Sequence, residues 1–442
     1  MAAKDPVGAV LIVGGGISGM QSALDLGDSG FKVYVVDNKP TIGGVMAQLD
    51  KTFPTNDCAM CIMAPKLVGV GKHRNVEIIT CAEVDKVEGK AGAFRVSLVK
   101  QPRRVDEEKC TGCGVCSQKC PVEAIDLYQE GTMSRAAIYV DYPQAVPLKY
   151  YIDKDRCIGC GICEGECPAG AVAYDQKEEI VTLDVGSVIL SPGFDEFGAE
   201  AMKEYGHGRY PNVISSIEFE RMLSATGPFR GTVMRPSDGR IPAKVAFIQC
   251  VGSRDEHHGH NFCSSVWCMH AIKEAMIAQE HTEGLSAHIY FMDIRAFGKE
   301  FDDYVEKAQT EFGIGMTRSN RVADITEVPG SKDLVVSYIE GEDIIQDTYI
   351  EACGRIEEYL QNPDVPFFVW LRFLTVQKLA LAHRKHLGVQ ARAVSREVAL
   401  HRGPLPAATS AALAAQLVGQ LTTPSEAAMK AEMKIQLEQA LN

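Results

Sequence analysis

The sequence predicts an α/β chain built on two dinucleotide-type β-α-β units, the first interrupted by a small α+β module that carries eight cysteines. Three observations predict it. A strand-like run, Ala9 to Val13, enters the glycine string Gly14-Gly15-Gly16-Ile17-Ser18-Gly19, continues as a helical pattern through Met20, Ala23, Leu24 and Leu26, and reaches a second strand, Lys32 to Val36, that ends in Asp37. A cysteine spacing, C-x2-C-x2-C-x3-C-P, is then written twice between residues 110 and 168. Beyond it, Asp184 to Gly193 reads as one more buried strand, and a second strand–helix alternation begins at Lys244.

Each part of the first unit has a physical reason. Gly14 permits the tight turn, Gly16 the close approach of a pyrophosphate, Gly19 the packing of helix on strand, and Asp37 stands where a ribose hydroxyl is bound. A lone glycine string is weak evidence. Strand, glycines, helix, strand and acid in a unit of about 30 residues make an ordinary glycine turn the poorer account. Gly43-Gly44 follow, adding backbone amides that can cradle the same phosphates.

The cysteine runs are Cys110, Cys113, Cys116 and Cys120 before Pro121, and Cys157, Cys160, Cys163 and Cys167 before Pro168. The x2 spacing wraps three thiolates around one face of an iron–sulfur cube, while the fourth cysteine, opening a helix, ligates the cube of the other run. Two [4Fe–4S] clusters are therefore expected. Gly112, Gly114, Gly159 and Gly161 remove Cβ bulk and free N–H groups to point at sulfide, which tunes the potential. Zinc closes at four ligands and has no use for the C-x3-C-P ending.

Composition narrows the rest. At 442 residues the chain should hold two or three domains. A formal charge of -13 argues against a nucleic-acid partner, because such binding runs on phosphate neutralisation by Lys and Arg. Of fifteen cysteines, eight sit in the metal-type runs, and no signal-peptide pattern opens the sequence. That usage suits a reducing compartment, so the cytoplasm is expected. No stretch reaches the ~18 apolar residues of a membrane span.

The strand ending in Ser191-Pro192-Gly193 resembles the strand-then-Ala-Thr-Gly element of two-dinucleotide flavoproteins, which use their first glycine fingerprint for FAD. The cysteine module is thus read as an insert between two halves of one flavin domain. The run from Gly43 through Phe53-Pro54-Thr55-Asn56-Asp57-Cys58-Ala59-Met60-Cys61 to Leu67, the paired cysteine runs, and Pro143-Gln144-Ala145-Val146-Pro147 between them closely resemble the iron–sulfur flavoprotein of heterodisulfide reductase, its A-type polypeptide. The likeness continues through Tyr210 to Ile214, Phe247 to Asp255, and Asp293 to Lys299, and covers about residues 8 to 340. The resemblance implies a flavoprotein of thioredoxin- or glutathione-reductase-like fold that holds FAD and moves electrons through [4Fe–4S] clusters to disulfide-reducing partner subunits, with electron bifurcation as one mode. Ferredoxin, hydrogenase or dehydrogenase donors and a dimeric core belong to the same implication.

Other thiols leave alternatives open. Cys58 and Cys61 form a C-x2-C pair beside the flavin site, readable as a redox dithiol, as cluster ligands, or as structural thiols packing a loop. Lys66 is a candidate to face a reduced, anionic flavin. Cys81 and Cys353 occupy apolar, strand-like positions and read as core.

The second unit opens with the strand Lys244 to Ile248, followed by a loop with one glycine, Gly252, where a nucleotide loop wants three. Nicotinamide binding is accordingly disfavoured, and with it a stand-alone NAD(P)H oxidoreductase. By the resemblance, Cys250, Cys263 and Cys268 hold a further cluster. Trp267 stands where the family places an additional cysteine, which leaves three ligands. His257, His258 and His260 share that loop without fixed ligand spacing and read as a surface loop. Ala271 to His281 and Asp302 to Phe312 read as covering helices.

The expected domains are 7–105 and 179–238 for the flavin half-domains, 106–178 for the insert, 239–346 for the second unit, and 347–442 for a return strand and divergent tail. Asp347 to Arg355 reads as the returning strand, but no closing Gly-Asp follows. Residues 370–402 carry seven Lys or Arg against Glu397 alone, and residues 404–424 are rich in Ala, Leu, Pro and Thr, a break from the acidic body. Ser425 to Leu441 has the pattern of a short amphipathic helix. The missing Gly-Asp motivates a second functional reading, a ferredoxin-like electron-transfer scaffold with a degenerate flavin site.

Overall fold

The computed structural model describes residues 7–255, 259–361 and 365–390. The chain divides at Tyr338/Ile339 into two compact units. The larger begins with β1 (Ala9–Val13), α1 (Ile17–Asp28), β2 (Lys32–Val36), α2 (Ala59–Lys72) and β3 (Val76–Ile79), followed by the hairpin β4 (Ala82–Lys90) and β5 (Ala93–Lys100). β1 is a continuous apolar run because both of its faces are covered, as parallel sheets require. Leu11 and Ile12 are wholly buried, each worth about 1.5–3 kcal/mol.

Between β5 and the next long strand lie short elements only: α3 (Val115–Gln118), β6 (Ala124–Ile125), β7 (Ser134–Arg135), β8 (Ile138–Tyr139), β9 (Tyr151–Ile152) and α4 (Ile162–Gly165), an α+β insert. The chain then returns through β10 (Glu179–Val185) and β11 (Ser187–Leu190). β11 pairs parallel to β1, Leu11 opposite Val188, giving the sheet order β11-β1-β2-β3. β10 pairs antiparallel to β5, Val181 opposite Leu98, in the sheet β10-β5-β4. The module therefore leaves from one strand and comes back on its hydrogen-bonded neighbour, so its ends are held close and the parent sheets close without it.

α5 (Ser216–Leu223) starts in a capping box between Ser215 and Glu218. The second αβ unit follows with β12 (Lys244–Ile248), α6 (Trp267–His281), β13 (Ser286–Phe291), α7 (Phe301–Thr310), β14 (Gly315–Glu327) and β15 (Leu334–Glu340), in sheet order β12-β13-β14-β15. β12, β13 and β14 run parallel, a Rossmann-like arrangement. α6 is buried along most of its length, and it buries charge as well as Ile272, Met276 and Ile277. Glu220 of α5 pairs with Lys273 of α6, while the His270 ring nitrogen lies 3.2 Å from Glu274 and 3.4 Å from Glu220. Burial opposes charge on Glu220, yet the Lys273 ammonium and His270 hold its carboxyl below the usual range. Burial pushes the Glu274 carboxyl up, against the pull of His270.

Three expectations are corrected. Cys120 and Cys167 do not open helices: each follows a one-turn helix, α3 or α4, that instead carries the third cysteine, Cys116 or Cys163. Residues 347–355 are not a returning strand but the middle of α8 (Gly341–Gln361), which pairs with α9 (Phe367–Gln390) in the second compact unit. The β-like Thr348-Tyr349-Ile350 lies within α8, which also carries a Glu351–Arg355 i,i+4 ion pair and a Glu351–Lys378 pair to α9. Cys353 consequently lies exposed on α8, whereas Cys81 is buried as expected, its thiol pushed up to about 11 by burial. The Ser425–Leu441 helix and most of the basic, Ala-rich tail lie outside the described residues, as do His257 and His258. No described helix is long and apolar enough to cross a membrane.

Candidate functional site

The glycine string turns between β1 and α1 as a cradle. A side chain at Gly14 would collide with the Ser191 carbonyl, and one at Gly19 with the Gly14 carbonyl, so helix, turn and β11 close on one another through bare backbone. Gly16 caps α1 without any side-chain hydrogen bond, leaving first-turn amides available to an anion. Gly43 donates to the Gly15 carbonyl at 2.9 Å, which brings the Gly43-Gly44 turn beside the first. The Asp37 carboxylate accepts from the Gly15 amide at 2.8 Å and the Lys39 amide at 2.9 Å. Burial pushes its pKa up, against those two bonds. Gly193 sits just beyond β11 at φ 74°, with open space at its Cα. Lys66, half-buried on α2, donates to Gln21 of α1.

In the inserted module, Cys120, Cys157, Cys160 and Cys163 line one small pocket, and Cys110, Cys113, Cys116 and Cys167 line another. Each cage thus takes three thiols from one run and its fourth from the other, the exchange that paired cubane sites use. The ligand loops pass through the left-handed region at Gly112 (φ 72°) and Gly159 (φ 69°), which only glycine does cheaply. The Gly159 amide reaches the Cys157 sulfur at 3.4 Å and the Ala171 amide the Cys167 sulfur at 3.3 Å. The Cys163 thiol and the Tyr174 hydroxyl are 2.9 Å apart. Burial pushes the Cys116 thiol up to about 12, so this site favours a proton or a metal cation over a bare thiolate. The residues present fit two iron–sulfur cubes.

Cys250, Cys263 and Cys268 also converge. Burial raises the Cys268 pKa first, and the nearby charges of Cys250 and Cys263 raise it further. Trp267 packs edge-on against Phe194 at 5.4 Å and His270 at 5.1 Å, filling the position before Cys268 with an indole. Arg254 lies close enough to feel both Cys250 and Cys263, and pairs with Asp293 at 2.8 Å. The His260 Nδ1 lies 2.9 Å from Gly252 O, and its ring contacts those of Phe197 and Phe262. Cys58 caps α2, its sulfur accepting from the Cys61 amide at 3.2 Å, and both thiols are exposed. The neighbouring Cys58 thiol raises the Cys61 pKa.

Sequence reasoning missed several contributors. Asp106 and Asp153 stand four residues before Cys110 and Cys157, accept the first ligand's amide through their carbonyls at 2.9 Å, and bond the amide two residues on through their carboxylates. Their equal offset from each run was the available signal. Glu220, His270 and Glu274 place ligand atoms within 4.8 Å of one another, a metal-like group. The Lys273 ammonium pairs with Glu220 inside this group. Arg221, wholly buried, donates to Gln129 at 2.9 Å and to Gln48 O at 2.7 Å. It had no local signal.

Residues 109–171 match the model of a 4Fe-4S dicluster domain, and residues 12–65 that of an NAD(P)-binding Rossmann-like domain. An iron–sulfur A-type polypeptide of CoB–CoM heterodisulfide reductase from Methanopyrus kandleri is 49% identical over 370 residues, covering 81% of this chain and 55% of that protein. The corresponding polypeptide of Methanocaldococcus jannaschii is 52% identical over 347 residues, 78% of this chain and 52% of its own length. The chain spans about half the length of the curated relatives it matches. Among solved structures, thioredoxin reductase of T. acidophilum overlaps 77% of this chain and 76% of its own at 12% identity, with a TM-score of 0.34, too low to carry weight.

Proposed function

The chain belongs to the family of A-type iron–sulfur polypeptides of heterodisulfide reductase, and from that premise we propose that it is the flavin and iron–sulfur electron-transfer component of a heterodisulfide-reductase-type complex. In this reading it passes electrons between a low-potential donor or acceptor and partner subunits that reduce a disulfide. The observation that carries the reading is the exchange of fourth cysteines between two cages, in one compact unit with a glycine cradle. When bound, a flavin exchanges electrons in pairs or singly and each cube one at a time, so together they join two-electron to one-electron chemistry.

The chain's own residues then have defined tasks. Gly14, Gly16, Gly19 and the Gly43-Gly44 turn would hold the pyrophosphate of FAD against open amides, with Asp37 taking the ribose and Gly193 lying beside the isoalloxazine end. Cys110, Cys113, Cys116 and Cys167 would hold one [4Fe–4S] cube, and Cys120, Cys157, Cys160 and Cys163 the other. Cys250, Cys263 and Cys268 would hold a third cluster on three protein thiolates, with Arg254 favouring its more reduced, more negative state. Cys58 and Cys61 remain a dithiol exposed at the start of α2, free to react with oxidants or metals. A second reading, the scaffold without flavin, is favoured by one observation: residues 347–355 form a helix and not the strand that returns to a flavin domain.

Anaerobic protein assayed for iron, acid-labile sulfide and extracted flavin separates the readings. One FAD with about eight irons per chain supports the flavin and two cubes, and about twelve adds the third cluster. About eight irons with no flavin would leave the scaffold.

A further inference from the structure

The Gly43-Gly44 turn is secured from outside by the inserted module. Ile42 donates to Val146 O at 2.9 Å, the Tyr142 hydroxyl donates to Ile42 O, and Thr41 donates to the Asp141 carboxylate at 2.9 Å. Arg103, at the entry to the module, donates to Pro40 O at 2.6 Å and Lys149 O at 3.0 Å. Gly43 must lack a side chain, because a Cβ there would strike the Tyr142 hydroxyl. The whole stretch 40–43 is thus fixed by residues that belong to, or border, the module.

The same segment ends on a cluster cage. The Lys149 ammonium donates to Cys110 O at 2.5 Å, a Cβ at Gly112 would lie 2.8 Å from Leu148 O, and one at Gly114 would lie 3.0 Å from the Tyr150 hydroxyl. Tyr150 lines the cage of Cys110, Cys113, Cys116 and Cys167. Between the two ends, bonds from Ala145 to Tyr142 O and from Lys149 to Pro147 O, with Pro143 and Pro147, keep the segment short and stiff. The other cage is lined by no residue of 141–150.

We propose that residues 141–150 are a strap through which the Cys110 cage and the dinucleotide cradle sense each other's occupancy. Filling the cage orders the strap, which sets the Gly43-Gly44 turn for phosphate, and by reciprocity a bound dinucleotide protects the cluster. The inference rests on the reading of the cradle as the FAD site and of the cages as cluster sites. Thr41, Asp141 and Tyr142 are its positioning residues.

The test uses the full chain under anaerobic conditions, stripped of flavin and titrated with FAD. Cys113→Ala, which opens the strap-bearing cage, should weaken FAD binding about fivefold or more, while Cys160→Ala in the other cage should change it less than about twofold. Because shared ligands let one substitution empty both cages, a second measurement follows bleaching of the visible cluster absorbance by an iron chelator. FAD should slow bleaching about fivefold in the unaltered chain and not in Tyr142→Phe or Thr41→Val, each of which removes one hydroxyl and keeps its packing. FAD binding that ignores cluster occupancy, with no protection from the chelator, would overturn the strap alone. Failure of the intact chain to bind FAD in any form would sink the flavin reading as well.

Discussion

The two β-α-β units share a plan and differ in one connection. Residues 14–16 join β1 to α1, whereas residues 249–266 join β12 to α6. In the first, bare backbone is packed so closely that no side chain fits at Gly14 or Gly19, and the helix starts with open amides. In the second, the connection passes through positive φ at Cys250, Arg254 and Ser265, and carries Cys250 and Cys263 near enough to Cys268 to raise its pKa. α6 is capped by Val266 and begins at Trp267, under aromatic cover, where α1 is capped by Gly16. One sheet-and-helix frame therefore carries either a bare glycine turn or a longer, thiol-bearing loop, and the loop decides what each unit can hold.

The frames also differ in how they are held. α6 is locked to α5 by buried charge, and Glu220 extends the lock by accepting the Asp50 amide at 2.9 Å. The largest expected effect breaks this lock. Lys273→Met leaves Glu220 buried without its ammonium and should cost about 3–5 kcal/mol in chemical denaturation. If the second unit depends on the lock and the first does not, iron at the Cys250 set should be lost before flavin is released. Equal loss of both would show that the two frames stand or fall together.

Next in size is Gly19→Val, which forces a branched side chain onto the Gly14 carbonyl and should cost about 3 kcal/mol with loss of bound dinucleotide. Gly252→Ala is its counterpart in the second loop, strained at φ 64° and against the Phe197 ring, and should cost only about 1–2 kcal/mol with FAD content unchanged. A flavin loss in Gly252→Ala would erase the contrast between the loops.

The first unit was legible because its chemistry is local: the Gly14–Gly19 string, Lys32–Val36 and Asp37 lie within one short stretch and match the strands and helix observed. The cysteine runs were legible for the same reason, down to the exchange of Cys120 and Cys167. Hidden features depend on distant pairs. Arg221 meets Gln129 and Gln48 across 92 and 173 residues, and no periodicity encodes that. The strap was visible only as the string Pro143 to Pro147, without its purpose. Thr348-Tyr349-Ile350 misled because β-branched and aromatic residues predict a strand, while the Glu351–Arg355 spacing that favours helix was outweighed.

The smallest effect sharpens the comparison most. Asp37 is the one acid of the first cradle, and burial raises its pKa although the Gly15 and Lys39 amides oppose the rise. A carboxyl with a raised pKa in the fold gives its stabilisation below the unfolded value and loses it as pH climbs through the folded one, so at neutral pH the ionised group slightly destabilises the ligand-free chain. Asp37→Asn should then leave thermal stability unchanged or raise it by less than about 1 kcal/mol, while weakening FAD binding through the lost charged acceptor for ribose. In the unaltered chain FAD affinity should fall as pH drops, beginning above the range of an exposed aspartate, and Asp37→Asn should flatten that profile. In the second unit the acid that follows β13, Asp293, is paired with Arg254 and Arg318 at 2.8 Å, so nicotinamide nucleotides should leave its stability unmoved across the same pH range. A neutral-pH loss of stability in Asp37→Asn would mean that the carboxylate holds the empty cradle together, and that its charge serves the fold before it serves a ligand.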